Sequence, residues 1–163
     1  VCDKLTSTMD LMPTFAAIAG GDLPANPIID GEDISPLIEG RSGAKSPHEA
    51  FYYYSRRELQ AVRSGRWKLH FPHKYRSGKG KTPSHGIPVP YVYPEIGLSL
   101  FDLEKDVGET TNVAEQHRDV VTTVTRLAKR VRETLGDELT GQTGSERRPV
   151  GRMTQEQFEN RRW

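Results

Sequence analysis

Apolar and polar residues alternate along Leu59-Gln60-Ala61-Val62-Arg63 and again along Arg66-Trp67-Lys68-Leu69-His70-Phe71, with Ser64-Gly65 between them. Period-two patterning around a small residue and a glycine predicts two strands joined by a tight hairpin. The β-prone run Ala50-Phe51-Tyr52-Tyr53-Tyr54 and the stretch 98–103 predict two more strands. From position 113 the period changes. Val113, Val120, Val121, Val124, Leu127, Ala128, Val131 and Leu135 recur three and four residues apart, which predicts an amphipathic helix of about five turns closed by Gly136. In FDLEKDVGETTNVAEQH, residues 101–117, Asp106-Val107-Gly108-Glu109 supplies the turn between sheet and helix, and Asn112 or a near neighbour can cap that helix. The order of elements predicts an α+β fold: a small antiparallel β-sheet covered by one long C-terminal helix.

Other segments read less regularly. Ser7-Thr8-Met9-Asp10 fits a capping box, followed by a helical face of Met9, Met12, Phe15, Ala16 and Ala19 that Gly20-Gly21 stops. Pro13, about a turn in, predicts a kink or a two-part helix. Positions 34–38 make a helical turn ended by Gly40, between loops at 22–33 and 41–47. Positions 72–97, rich in proline and glycine, read as one long irregular loop. Positions 141–163 read as a flexible basic tail carrying Arg147, Arg148, Arg152, Arg161 and Arg162, in which Phe158 and Trp163 dock locally.

Composition narrows the function classes. The chain has 163 residues, 34% of them hydrophobic, and a mean hydropathy of -0.66, low for a self-sufficient globule. With 23 basic and 22 acidic side chains the net charge is +1, so only local clustering can steer a charged partner. Near-neutrality and the lack of a basic helix argue against nucleic acid. No apolar run approaches the roughly 18 residues that span a bilayer. Cys2 is the one cysteine, and no spacing suggests zinc. Starting at Val1 without a signal-like segment, the chain is expected to be a piece whose beginning lies upstream.

The local cluster is in 72–94. His73, Lys74, Arg76, Lys79, Lys81 and His85 occur there without a carboxylate, and Gly78, Gly80 and Gly86 would let backbone amides approach a ligand. That pattern suits an anion such as sulfate, phosphate or carboxylate, although a solvated loop is the plainer reading. Tyr91 and Tyr93 can form an aromatic wall or simply pack. His70 reads as a structural strand residue, and His48 and His117 belong to no HxH or HExxH pattern. Asp30/Asp33 and Asp102/Asp106 read as turn formers. No GxSxG elbow or GxxxxGK[ST] loop is present.

Three stretches in order resemble the C-terminal part of sulfatases of the arylsulfatase class. STMDLMPTFAAIAG (7–20), with IIDGEDISPLIEG (28–40), is similar to that family's helix and following segment. LQAVRSGRWKLH (59–70) resembles its hairpin. LFDLEKDVGETTNV (100–113) resembles Leu-(Tyr/Phe)-Asp-Leu-x-x-Asp-Pro-x-Glu-x-x-Asn-Leu, with Val107 in place of the usual proline and Val113 in place of leucine.

The resemblance implies three parts. Residues 1–45 would end the larger α/β domain as a remnant helix and loops, 46–140 would form the C-terminal α+β subdomain, and 141–163 the tail. It also implies that the formylglycine nucleophile, made from Cys-x-Pro-Ser-Arg, and the calcium site lie in a missing N-terminal domain. Cys2 precedes Asp-Lys-Leu and does not match that motif. No cofactor is expected in this chain. The expected function is to line the substrate cleft of a sulfuric ester hydrolase, with His73, Lys74, Arg76 and His85 as contacts for a sulfate ester and no catalytic residue or metal ligand. A chain like this is expected to be silent alone. Two further readings are a non-catalytic module for anionic glycans, and kinship with phosphatase or phosphonate-ester members of the wider alkaline phosphatase superfamily. The other expected partner is the missing domain, with no nucleic acid and no membrane. The apolar face of 7–19 (Leu11, Met12, Phe15, Ile18) is expected to be exposed or covered by self-association. Family members are commonly exported, periplasmic or lysosomal.

Overall fold

Strands form where the alternation predicts them. The computed structural model describes residues 2–25, 28–78, 84–147 and 151–160. Lys79, Gly80, Lys81, Arg148, Arg161, Arg162 and Trp163 lie outside the described residues. Strands β1 (Phe51–Ser55), β2 (Glu58–Ser64) and β3 (Trp67–His70) pair antiparallel in sequence order, and Ser99–Asp102, the sixth strand in chain order, closes the sheet beside β3. The β2–β3 hairpin turns on Gly65-Arg66, one residue later than predicted. Gly65 takes φ 55, a conformation open to a residue without Cβ at the first turn position.

A bulge sorts the side chains. Tyr53 pairs with Ala61 but Tyr54 pairs with Leu59, so Gln60 is extra. Leu59 and Val62 therefore point to the same side, which unbroken alternation would forbid. They join Leu69, Phe71 and Leu100 in one apolar layer. Helix α3, the third α-helix, runs Arg118–Leu135 and lays Val124, Leu127, Ala128 and Val131 on that layer. Each large aliphatic group buried there stabilises the fold by roughly 1.5–3 kcal/mol.

The helix differs from expectation in two ways. It begins at Arg118 and not at 113, because Val113 still donates to the Leu100 carbonyl at 2.9 Å and Asn112 Oδ1 accepts the Leu100 and Ala114 amides, holding this stretch against the sheet edge. Nor is it the C-terminal element. It has 18 residues and lies mid-chain. At Gly136 the backbone leaves the helix at φ 82 and folds back as a ladder of Gly136–Asp137 with Gln142–Thr143. Buried Asp137 ties that ladder down by accepting from Leu59 N, Leu139 N and Arg132 Nε. The expected tail thus begins in a strand, and it later forms a capped helical turn at Gln155–Glu159.

The segment 72–97 is not irregular throughout. His73–Lys74 (β4) and Glu95–Ile96 (β5) pair antiparallel, and the ladder continues through Tyr75 N to Pro94 O and the bridge Ser77↔Val92. Prolines at 72, 88, 90 and 94 remove donors and keep the strands short. The result is a two-stranded arm.

Near the N-terminus, Ser7 and Asp10 close the predicted capping box of a 3-10 turn, Thr8–Asp10, that leads into α1 (Leu11–Ile18). Buried Asp10 also accepts from Glu32 N at 3.0 Å and faces His48 Nε2 at 2.7 Å. Burial alone would raise its pKa, but these bonds together with the Ser7 amide outweigh it and hold the carboxyl below its ordinary range. Leu11, Met12, Phe15 and Ile18 are exposed.

Candidate functional site

The sheet has two faces, and the helix covers one. On the other, alternation places Tyr53, Ala61, Lys68, His70 and Phe101, because directly paired residues share a face: Tyr53 with Ala61, Ala61 with His70, and Lys68 with Phe101. The arm extends this surface with His73, Tyr75 and Ile96, and the turn after the sheet contributes Gly108 and Glu109. Together they enclose a cleft of about 450 Å³, within the usual size range of small-molecule sites.

Charged groups in the cleft are paired across long sequence distances. Glu109 holds φ 55, and its two oxygens meet Lys68 Nζ at 2.6 Å and His70 Nε2 at 2.7 Å. Lys68 Nζ also lies 4.7 Å from the Tyr53 ring centroid. A carboxylate only accepts, so His70 donates through Nε2–H. Its Nδ1 is buried with no hydrogen-bond partner among the described residues. Burial first, and Lys68 next, lower the His70 pKa despite Glu109. The His70 and His73 rings stack at 5.5 Å and 16°, and His73 Nδ1–H donates to Phe71 O at 2.6 Å.

The four residues singled out from sequence do not converge. His73 is buried in the cleft. Lys74 and Arg76 alternate onto the arm's outer face, where Lys74 pairs with Glu95 at 3.3 Å and Arg76 lies 4.2 Å above the Tyr91 ring. His85 sits at φ 52 beside Gly86 at φ 75, the two central positions of a type I′ turn closed by Ile87 N to Ser84 O. His70, read as structural, is central to the cleft. Lys68, Glu109 and Tyr53 carry no motif of their own in the sequence. The strand parity of Lys68 and His70 about Leu69 was the available signal.

A wider concavity of about 960 Å³ runs beside Cys2–Thr6, His48, Arg63 and Arg66. Its Arg66 is already engaged by Asp102 and Glu104, and among the described residues no aromatic ring other than His48 lines it, so it offers less for recognition. Among the described residues no group of three His, Cys, Asp or Glu side chains can hold a metal ion, and Cys2 is exposed. No helix among them is long and apolar enough to cross a membrane.

Comparison with known proteins agrees with the topology. A family model described as the C-terminal region of aryl-sulfatase matches residues 46–159. Bovine (Bos taurus) arylsulfatase A is 36% identical over 138 residues, covering 80% of this chain and 26% of the relative. Mouse (Mus musculus) steryl-sulfatase is 33% identical over 144 residues, covering 80% of this chain and 23% of the relative. The chain thus spans about a quarter of the length of the curated relatives it matches. The PsFucS1 sulfatase structure from Pseudoalteromonas sp. shares the fold, with a TM-score of 0.62 at 23% identity over 78% of this chain and 25% of that one.

Proposed function

The chain belongs to the family of aryl-sulfatase C-terminal regions, and on that premise we propose that it lines one side of the substrate cleft of a sulfuric ester hydrolase without performing the displacement. The observation that carries this reading is the cleft on the sheet face opposite α3, where Lys68, His70, His73, Tyr75 and Glu109 converge from separate segments. Loops and edges that support a cleft on a rigid sheet are suited to orienting a substrate.

The chemistry available to these residues is binding. Sulfate-ester cleavage needs an activated nucleophile and strong electrostatic stabilisation of the leaving oxygen. Lys68 and Glu109 neutralise each other, and among the described residues no aliphatic hydroxyl or thiol lines the cleft. The role left to the cleft is to hold and orient the ester for groups supplied elsewhere in the complete enzyme.

The test uses the 163-residue chain with 4-nitrophenyl sulfate. Calorimetric titration is expected to show weak binding that Tyr75→Ala diminishes, with no release of 4-nitrophenol. Hydrolysis above the buffer rate overturns the non-catalytic role. Binding equal in wild type and Tyr75→Ala, or no binding at all, overturns the assignment of the cleft.

A further inference from the structure

Among the described residues, the charges lining the cleft balance. Lys68 Nζ and Glu109 Oε1 are 2.6 Å apart, with Lys68 side-chain exposure of 15% and Glu109 of 27%, so neither charge is free to meet an incoming ion. Both carboxylate oxygens are occupied, the second by His70 Nε2–H. Charging His70 would need a proton on Nδ1, which is buried with no acceptor beside it among the described residues. An anion entering this space would have to displace Glu109 from Lys68 or stand beside its carboxylate.

The walls of the cleft are aromatic, with Tyr75 exposed, Tyr53 and His70 half-buried, and His73 and Phe101 buried behind them. The His70 and His73 rings stack in parallel, the Phe101 ring stands edge-on to His70 at 84°, and the Tyr75 ring stands against His73 at 64°. Tyr53, steadied by Lys68, lines the same space. Aromatic walls with a few fixed polar groups recognise rings, whether aryl or the apolar face of a sugar.

We infer that this cleft takes the uncharged, ring-bearing alcohol part of a sulfate ester and not its sulfate group, and that Glu109 is the residue that sets this preference by cancelling Lys68. The inference rests on the reading of the cleft as a substrate surface and specifies which half of the substrate it meets. It also separates the cleft from the outer face of the arm, where Lys74 and Arg76 lie.

The 163-residue chain is titrated at about pH 7.5, roughly one unit above the ordinary histidine range, with phenyl β-D-galactopyranoside and separately with inorganic sulfate. Amide and ring signals of Tyr53, His70, His73 and Tyr75 are followed by NMR. The galactoside is expected to shift these signals saturably, and sulfate at equal concentration to leave them in place. In Glu109→Gln, checked for native signal dispersion, sulfate is expected to bind at least about tenfold more tightly than in wild type, the factor one freed charge-assisted contact is worth. Sulfate binding to the wild-type cleft as tightly as the galactoside overturns the inference but leaves the cleft a substrate surface. If neither probe shifts these signals, the inference and the cleft assignment fall together. The wild-type comparison decides the matter even if Glu109→Gln does not fold.

Discussion

His70 Nε2 donates to Glu109 Oε2 at 2.7 Å, joining the last residue of β3 to a turn 39 positions later. The bond fixes the neutral tautomer of His70, while burial and Lys68 keep its proton affinity below that of a free histidine. The unfolded chain takes up a proton near pH 6.5 that the folded chain refuses, so this residue's contribution to stability is complete above that pH and declines as pH falls below it. Urea midpoints of wild type are expected to fall between about pH 7 and pH 5.5 more steeply than those of His70→Gln. Equal slopes would show that His70 is not held neutral.

Asp137 is expected to be the most sensitive polar position. Its buried carboxylate accepts from the Leu59 and Leu139 amides and pairs with Arg132, whose guanidinium also lies 4.4 Å from the Phe71 ring centroid. Asp137→Ala leaves a largely covered arginine and a buried strand amide without their acceptor, a loss of about 3–5 kcal/mol. Denaturant unfolding checks this, and a loss under about 1 kcal/mol would place the pairing among weak surface bridges.

Gly136 ends α3 at φ 82, and a Cβ there would lie 2.6 Å from Gly144 N and 2.8 Å from Gln142 O. Gly136→Ala therefore meets both backbone strain and a backbone clash, and is expected to cost at least about 1–3 kcal/mol. Gly65→Ala meets the strain at φ 55 but has open space around it, so it is expected to cost less. Thermal unfolding of the two variants gives the order; the reverse order would mean that the ladder after α3 is not tightly seated.

Much of the fold was legible because burial leaves a period. Leu69 between Lys68 and His70, and Val124, Leu127, Ala128 and Val131 three and four apart, announced the strand and helix that pack together. The bulge at Gln60 left no such mark, since Leu59 and Ala61 look like one face until the extra residue turns Val62 inward. The arm was hidden by prolines that break the strand pattern yet leave the amides of Tyr75, Ser77 and Val92 free to pair. The cations of 72–94 suggest an anion only when their partners are left out. Pairing across the arm neutralises Lys74 with Glu95 and stacks Arg76 on Tyr91. From sequence Glu109 belongs only to a turn, because its contacts with Lys68 and His70 span 41 and 39 positions, a distance no local pattern carries.

On the proposed function, the cleft on the sheet face opposite α3 is the surface that meets substrate. Residue-resolved amide shifts of the 163-residue chain with 4-nitrophenyl sulfate test it most directly. The account predicts saturable shifts at Tyr53, His70, His73 and Tyr75, with Val124 and Leu127 under the helix unmoved. Shifts confined to Lys74, Arg76 and Tyr91 on the outside of the arm would contradict it.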